Sequence, residues 1–297
     1  MLCSSTCCRS SRNRRPRERL YELMKVGWIG LGDMGLPMAA HLVRAGHRVL
    51  GHDLDEARLA AAQAAGVVRA SSGVEAAAAA DVVVTMLRTG AQTEELLTGT
   101  GGLAESVPHG RELDVVVMST LEPESMRRLA RLTAGRLCIV DAPVSGGVQG
   151  AEAATLAIMA AGRPAALARV RPLFEILGGS TFELGSEPGY GQAAKLANQV
   201  MMAASIAGTL EALALARAYG LEDERVSEVV TAGTGASWVL EHWPSLRGLW
   251  ESYVPGNALD ILLKDLRAVL GDADARGVEL PVAGLALSQL LHARGPT

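Results

Sequence analysis

Five short runs rich in Val, Ile and Leu, spaced so that a helix fits between each, constrain this chain more than any other feature. "KVGWIG" begins at Lys25 and leads into "LPMAAHLVRAG"; "HRVLGHD" leads into "DEARLAAAQAAG"; "DVVVTML", "DVVVMST" and "LCIVDAP" follow. The runs are continuous rather than alternating, which indicates strands covered on both faces, as in a parallel sheet. Strand–helix alternation of this kind predicts a doubly wound α/β domain. After about residue 185 the pattern changes. "GSEPGYG" is a break, and Gln192 to Tyr219 is Ala/Leu/Met-rich with helical spacing. Further helices are expected near 222–232, 257–275 and 281–293, between Gly and Pro breaks. The expected organisation is an α/β domain over 24–186 followed by an all-α domain over 187–297.

Composition removes several classes of function. Net charge is −4 and aromatics are 3%, so the basic footprint and stacking platforms of a nucleic-acid binder are missing. The longest nearly apolar run, Val200 to Leu210, ends at Glu211 and has about half the length that spans a bilayer. No membrane partner is expected. Cys3, Cys7 and Cys8 crowd the N-terminus and Cys138 stands alone in the body. That is no disulfide framework, and it points to a reducing compartment, the cytoplasm. The histidines show no ligand spacing, so no metal is expected. Residues 1–23 hold six Arg against two Glu, without apolar periodicity. They read as an unstructured extension, or as a start upstream of a working one at Met24, with an organelle transit peptide as the alternative.

"GLGDMG", Gly30 to Gly35, follows the first expected strand and opens a helix. Asp53 ends the next strand 18 residues past Gly35. This is the context that a dinucleotide fingerprint requires. Gly30 would permit the tight turn, Gly32 would let backbone approach a pyrophosphate, and Gly35 would allow close helix packing. Leu31 and Met34 lie in the same turn. The helix N-terminus faces the phosphates with its partial positive charge. Asp53 would accept from the adenine ribose hydroxyls and oppose a 2′-phosphate, so NAD is favoured. Arg58, one turn into the next helix, keeps NADP open. Asp53 could also serve as N-cap of that helix.

"DAPVSGGVQGAEAATLAIMAAG", 141–162, places Ser145, Gly146 and Gly147 after a strand end. Two glycines after a serine let backbone N–H groups converge on an anion, and Ser145 adds a hydroxyl donor. A carboxylate is the natural small guest; a plain glycine-rich turn is the competing reading.

"GQAAKLANQV", 191–200, is a mostly apolar helical stretch with one charge, Lys195. The nearest acids in sequence, Glu187 and Glu211, are too far along a helix to meet it. Gly191, Lys195, Asn198 and Gln199 share a face. Gly191 leaves space for another backbone or for a ligand. A lysine desolvated among apolar neighbours has a lowered pKa and can transfer a proton near neutral pH. The alternative is a lysine snorkelling to water.

Taken together, "GWIGLGDMGLPMAAHL", "DAPVSGGVQGA", "GYGQAAKLANQ" and "LLKDLRAVL" resemble the signature regions of the β-hydroxyacid dehydrogenases. That family includes 3-hydroxyisobutyrate dehydrogenase, tartronate semialdehyde reductase and L-threonate dehydrogenase. The resemblance spans roughly Met24 to Arg294. It implies a Rossmann domain, an all-α domain for substrate and dimerisation, and an active site between them. It also implies oxidation of a small 3-hydroxy acid by a nicotinamide cofactor, in a homodimer or homotetramer. Position by position, Lys195 matches the catalytic lysine, and Ser145, Gly146 and Gly147 match the substrate carboxylate loop. Asn198 falls on the first of two paired amides, and Gln199 replaces the second. Lys264, Leu87 and Thr120 match positions near the cofactor.

Three departures accompany the match. "ATL" at 154–156 stands where the family often has Gly-Thr-Leu, a change expected to alter packing alone. The sequence ends at "HARGPT", short of the tail many members carry, which bears on pocket closure or oligomer contacts. Gln199 is the third. Imine-reducing and non-catalytic relatives usually lack the lysine, so its presence argues against an imine or ketone reductase and against a non-catalytic NAD-binding protein. Trp238 and His242, one helical turn apart, are candidates either for the pocket lining or for core and interface.

Overall fold

The computed structural model of the chain describes residues 23–251, 253–254 and 258–294. The reading of residues 1–23 as an extension thus falls, Leu23 apart, outside the described residues. So do the first residue of the expected 257–275 helix and the last three of "HARGPT".

Six strands form one parallel sheet: β1 (Lys25–Ile29), β2 (Arg48–His52), β3 (Val68–Arg69), β4 (Val82–Thr85), β5 (Leu113–Val117) and β6 (Leu137–Asp141). Their order is β3-β2-β1-β4-β5-β6, so the direction of winding reverses between β1 and β4. Helices α1 (Gly35–Arg44), α2 (Glu56–Ala64), α3 (Gly73–Ala78), α4 (Gly90–Thr98), α5 (Leu103–Ser106) and α6 (Pro123–Leu132) connect them. The continuous valine runs have a direct physical reading. Val82, Val84, Val116 and Val140 enter one buried cluster with Trp28, Met38 and Leu42. Val83, Val115, Val117 and Ile139 enter a second cluster with Leu97, Met126 and Leu129. Alternate side chains leave opposite faces of a strand, so a sheet covered on both sides needs apolar residues at every position.

A second, three-stranded sheet was not expected. β7 (Val144–Ser145) pairs antiparallel with β8 (Leu156–Ala160), which pairs in parallel with β9 (Gly178–Glu183). Between them lie α7 (Gly147–Ala153) and α8 (Pro164–Leu177), and an Asp141–Ala161 bridge joins this sheet to the end of β6. β8 reads "LAIMA" and β9 reads "GGSTFE". Ala, Met and Gly have weak strand preference, and pairing rather than propensity makes these segments extended.

The remainder is helical: α9 (Tyr190–Ala218), α10 (Asp223–Ala232), α11 (Trp238–Glu241), α12 (Trp243–Glu251), α13 (Ala258–Ala275) and α14 (Pro281–Arg294). Ala203, Ile206 and Leu213 of α9 close a separate core with Leu262, Leu266 and Leu290. A Rossmann-like α/β domain followed by a helical domain is therefore the observed architecture. α9 links the two, packing on α13 and α14 and, nearer its start, on α6, β6 and β8. By length and composition α9 is also long and apolar enough to cross a membrane. The sequence estimate counted only the uninterrupted run and missed this, because Lys195 and Glu211 lie inside the 29-residue helix.

Candidate active site

The turn after β1 lies where the winding reverses, the position at which open α/β sheets bind ligands. Gly30 has φ +96°, and a Cβ there would stand 2.3 Å from the Met86 carbonyl oxygen. At Gly35 a Cβ would stand 2.0 Å from the Gly30 carbonyl oxygen, so α1 can start against the turn only as glycine. Gly32 differs: its nearest neighbour would be Arg58 Nη1 at 3.6 Å, and the notch this leaves fits a pyrophosphate. Asp53 closes the turn from the next strand, Oδ2 accepting from the Leu31 amide at 2.7 Å and Oδ1 from the Asp55 amide at 2.9 Å. The N-cap of α2 is Asp55, which accepts from the Ala57 and Arg58 amides. Asp53 is not that cap, so its carboxylate belongs to the turn. Leu31 points its side chain into the core and Met34 packs against the same cluster, so these two face the turn with backbone.

Leu87 joins this edge. Its Cδ2 would lie 3.3 Å from a Cβ at Gly30, and its amide donates to Ser119 Oγ at 2.8 Å. Thr120 follows Ser119 and lines a cleft of about 330 Å³ together with Gly90, Leu121, Lys264 and Asp265. Lys264 reaches from α13 toward the Arg88 carbonyl at 3.5 Å. The three residues expected near the cofactor thus gather at one edge.

α9 starts against the end of β6. Asp141 is fully buried there, and its Oδ2 accepts from the Gly189 amide at 2.8 Å and the Gln192 amide at 3.1 Å. A carboxylate at this end complements the exposed N–H groups and partial positive charge of the helix. Desolvation nevertheless pushes its pKa up to about 6. The sequence left open whether Gly191 makes room for backbone or for ligand. It makes room for backbone and carboxylate: a Cβ would stand 2.4 Å from the Met159 carbonyl oxygen and 3.0 Å from Asp141 Oδ2.

One turn on, Lys195 is 8% exposed and, among the described residues, has no hydrogen-bond or ion-pair partner. It does not snorkel. Burial lowers its pKa, Asp265 works against that shift, and Lys264 adds to it. Asn198 Nδ2 donates to Ser145 Oγ at 3.3 Å and to Gln199 Oε1 at 3.2 Å. Gln199 Nε2 donates to Asp265 Oδ2 at 2.8 Å. Lys264 Nζ lies 3.2 Å from the other Asp265 oxygen, close enough for an ion pair but not aligned as a hydrogen bond. A polar row thus runs from the Ser145 loop across the Lys195 face to α13. Gly146 (φ +132°) and Gly147 (φ +63°) turn the chain from β7 into α7 beside Ser145.

Asp265 is the residue the sequence reading missed: the charge facing Lys195 comes from another helix. Its signal was an acid on the stripe of Leu262, Leu266 and Val269, all buried. Trp238 and His242 stack on each other, centroids 4.1 Å apart, with Trp238 46% exposed. Core is thereby ruled out for Trp238.

Two family models match most of the chain. Residues 25–185 match the NAD binding domain of 6-phosphogluconate dehydrogenase, and residues 189–295 match the NAD-binding domain of NADP-dependent 3-hydroxyisobutyrate dehydrogenase. A 3-hydroxyisobutyrate dehydrogenase of Pseudomonas aeruginosa is 37% identical over 91% of this chain and 92% of its own length. An L-threonate dehydrogenase of Escherichia coli is 34% identical over 90% and 88%. The solved Mycobacterium tuberculosis 3-hydroxyisobutyrate dehydrogenase with L-serine has a TM-score of 0.80 and 34% identity, over 91% of this chain and 94% of that one. With the dinucleotide turn, the Ser145 loop and the α9 lysine in place, the chain belongs to the β-hydroxyacid dehydrogenases, NAD-dependent oxidoreductases acting on alcohol carbons of small hydroxy acids.

Proposed function

We propose that the chain oxidises a small 3-hydroxy acid of the 3-hydroxyisobutyrate kind, with Lys195 as the proton-transfer group. The observation that carries this is a buried, unpartnered lysine on the helix face that Asn198 links to Ser145. The names of similar proteins supply the substrate class. 3-Hydroxyisobutyrate, L-serine and 2-(hydroxymethyl)glutarate each carry a hydroxyl on the carbon β to a carboxylate.

NAD, when bound, supplies the hydride acceptor, and NADP is a second candidate. Gly30, Gly32 and Gly35 give its pyrophosphate a backbone cradle, Asp53 accepts from its ribose, and Leu87, Thr120 and Lys264 border its reactive end. Ser145, Gly146 and Gly147 hold the substrate carboxylate with a hydroxyl and backbone N–H groups. Lys195 Nζ, uncharged, takes the hydroxyl proton as the alcohol carbon loses its hydride, and returns it in the reverse reaction. Asn198 orients the hydroxyl or the amine. On this reading residues 24–186 hold most of the cofactor, while 187–297 supply Lys195, Lys264 and the contacts to a second copy in a homodimer or homotetramer.

The test is turnover of 3-hydroxyisobutyrate, serine, glycerate and threonate with NAD and with NADP, by wild type and Lys195→Met. Methionine keeps the apolar stem and helix preference. A general acid–base group contributes about 10²–10⁴-fold, so kcat should fall by that order while NAD affinity holds. Near wild-type kcat in Lys195→Met sinks the proposal.

A further inference from the structure

The side-chain amide of Gln192 is fully buried and has no part in the chemistry above. Its Nε2 donates to the Ser119 carbonyl at 3.0 Å and to Asp141 Oδ1 at 2.8 Å, and its Oε1 accepts from the Leu121 amide at 2.8 Å. Ser119 and Leu121 flank Thr120. One amide therefore holds the loop by the carbonyl before Thr120 and the N–H after it. Asp141 decides which way round the amide sits: a flipped Oε1 would face a carboxylate and a carbonyl, and a flipped NH₂ would face an N–H. Lys195 lies three residues further along the same buried face. Ser119, in turn, accepts from the Leu87 amide through its hydroxyl.

We propose that Gln192 is a positioning residue. It fixes the Thr120 loop, at the cofactor's reactive end, against the turn of α9 that carries Lys195, with Asp141 holding the amide in orientation. The proposal rests on the reading of Lys195 as the proton-transfer group. Only glutamine supplies what this place needs. A methionine has no polar group, and an ionised glutamate has no donor for Ser119 and would oppose Asp141.

Gln192→Met, Lys195→Met, the double variant and Gln192→Glu, each as the full chain with its cofactor, test it. Displacement of reacting groups by about 1 Å costs on the order of 10²-fold, so kcat of Gln192→Met should fall by that order. KM for NAD should hold, since the Gly30–Gly35 turn is untouched. The two single losses should not multiply in the double variant, because both act on one step. Gln192→Glu carries a pH signature. The ionisable or charged groups around that position are Asp141 of β6, Arg127 of α6 (against Gly189), Tyr190 and Lys195 on α9 itself, Lys264 and Asp265 of α13, and Glu94 and Glu122 beside Leu121. Two touching carboxylates share one proton, and the introduced carboxyl, while protonated, can still donate. Relative to wild type at the same pH, this variant should do best at low pH and fall behind, through a descending limb absent from wild type, as that proton leaves.

Wild-type kcat in Gln192→Met beside a slow Lys195→Met overturns the positioning role alone. Wild-type kcat in Lys195→Met overturns both readings. Losses that multiply, or a fall in NAD affinity equal to the fall in kcat, would make Gln192 a structural staple and overturn the proposal. If Gln192→Met does not fold, the pH profile of Gln192→Glu decides, and a wild-type profile there overturns it too.

Discussion

Lys195 gives up nearly all its hydration without gaining a hydrogen bond, so the folded chain holds its proton less tightly than the unfolded chain does. On the proposed mechanism alcohol oxidation needs the neutral amine, and its rate should rise with pH along a limb below the free lysine value of about 10.4. Asp265 opposes the downward shift. Asp265→Asn should therefore move the limb to lower pH, as read from kcat/KM profiles; a limb that stays put or rises would remove Asp265 from the charge balance. The sign carries over to stability. Between the folded and the free pKa the unfolded chain binds more protons, so this group's contribution improves as pH rises through that window. Below the folded value its full cost is present.

Asp53 works at the same scale with two duties. Its oxygens hold the Leu31 and Asp55 amides and offer the acceptor and negative charge proposed for the ribose. Asp53→Ala should weaken NAD binding and narrow the preference over NADP, measured as the ratio of the two dissociation constants. An unchanged ratio would shift the discrimination to Arg58, whose guanidinium already borders Gly32.

At the scale of elements, α7 carries the clearest cost. Its C-cap Ala154 sits at φ 55°, ψ 39°, the left-handed region, and is the one described non-glycine residue with positive φ. The sequence reading took the change from Gly-Thr-Leu to "ATL" as a packing matter. It is a backbone matter instead: the left-handed cap favours glycine because a Cβ crowds the following carbonyl. That conformation costs an alanine about 1–2 kcal/mol, and glycine returns part of the gain through its freer unfolded state. Ala154→Gly should stabilise the fold by roughly 0.5–1 kcal/mol, or a few °C in thermal midpoint. A lowered midpoint would contradict the cap argument.

The elements also show where sequence is informative. β1, β4, β5 and β6 were readable because two-sided burial writes an unbroken apolar run. β7, β8 and β9 were not, since partners impose their extension. The dinucleotide turn was readable because Gly30, Gly35 and Asp53 act within a short span. The Lys195 surroundings were not, because their hydrogen bonds join positions 48 to 73 residues apart. A one-dimensional scan for acids near Lys195 finds Glu187 and Glu211; the fold supplies Asp265.

At the scale of the whole molecule, the outward face of α9 is where we propose that a second copy docks. Met201, Leu215 and Tyr219 are 66%, 63% and 80% exposed, and separations of 14 and 18 residues put them on one stripe at 3.6 residues per turn. Leu285 of α14, 69% exposed, borders the adjoining groove with Leu210 and Ala214. Exposed apolar side chains aligned in this way suit an interface, and a second copy is the proposed occupant. Leu215→Glu with Leu285→Glu should turn a dimer or tetramer into monomers, read by sedimentation at micromolar concentration. Leu215 lies 20 residues along α9 from Lys195, about 30 Å at 1.5 Å per residue. If one chain completes its own site, the monomeric variant should therefore keep its kcat while losing thermal stability. A wild-type chain that sediments as a monomer sinks the oligomer. A variant that dissociates and loses kcat would mean that the second copy shapes the site across that distance.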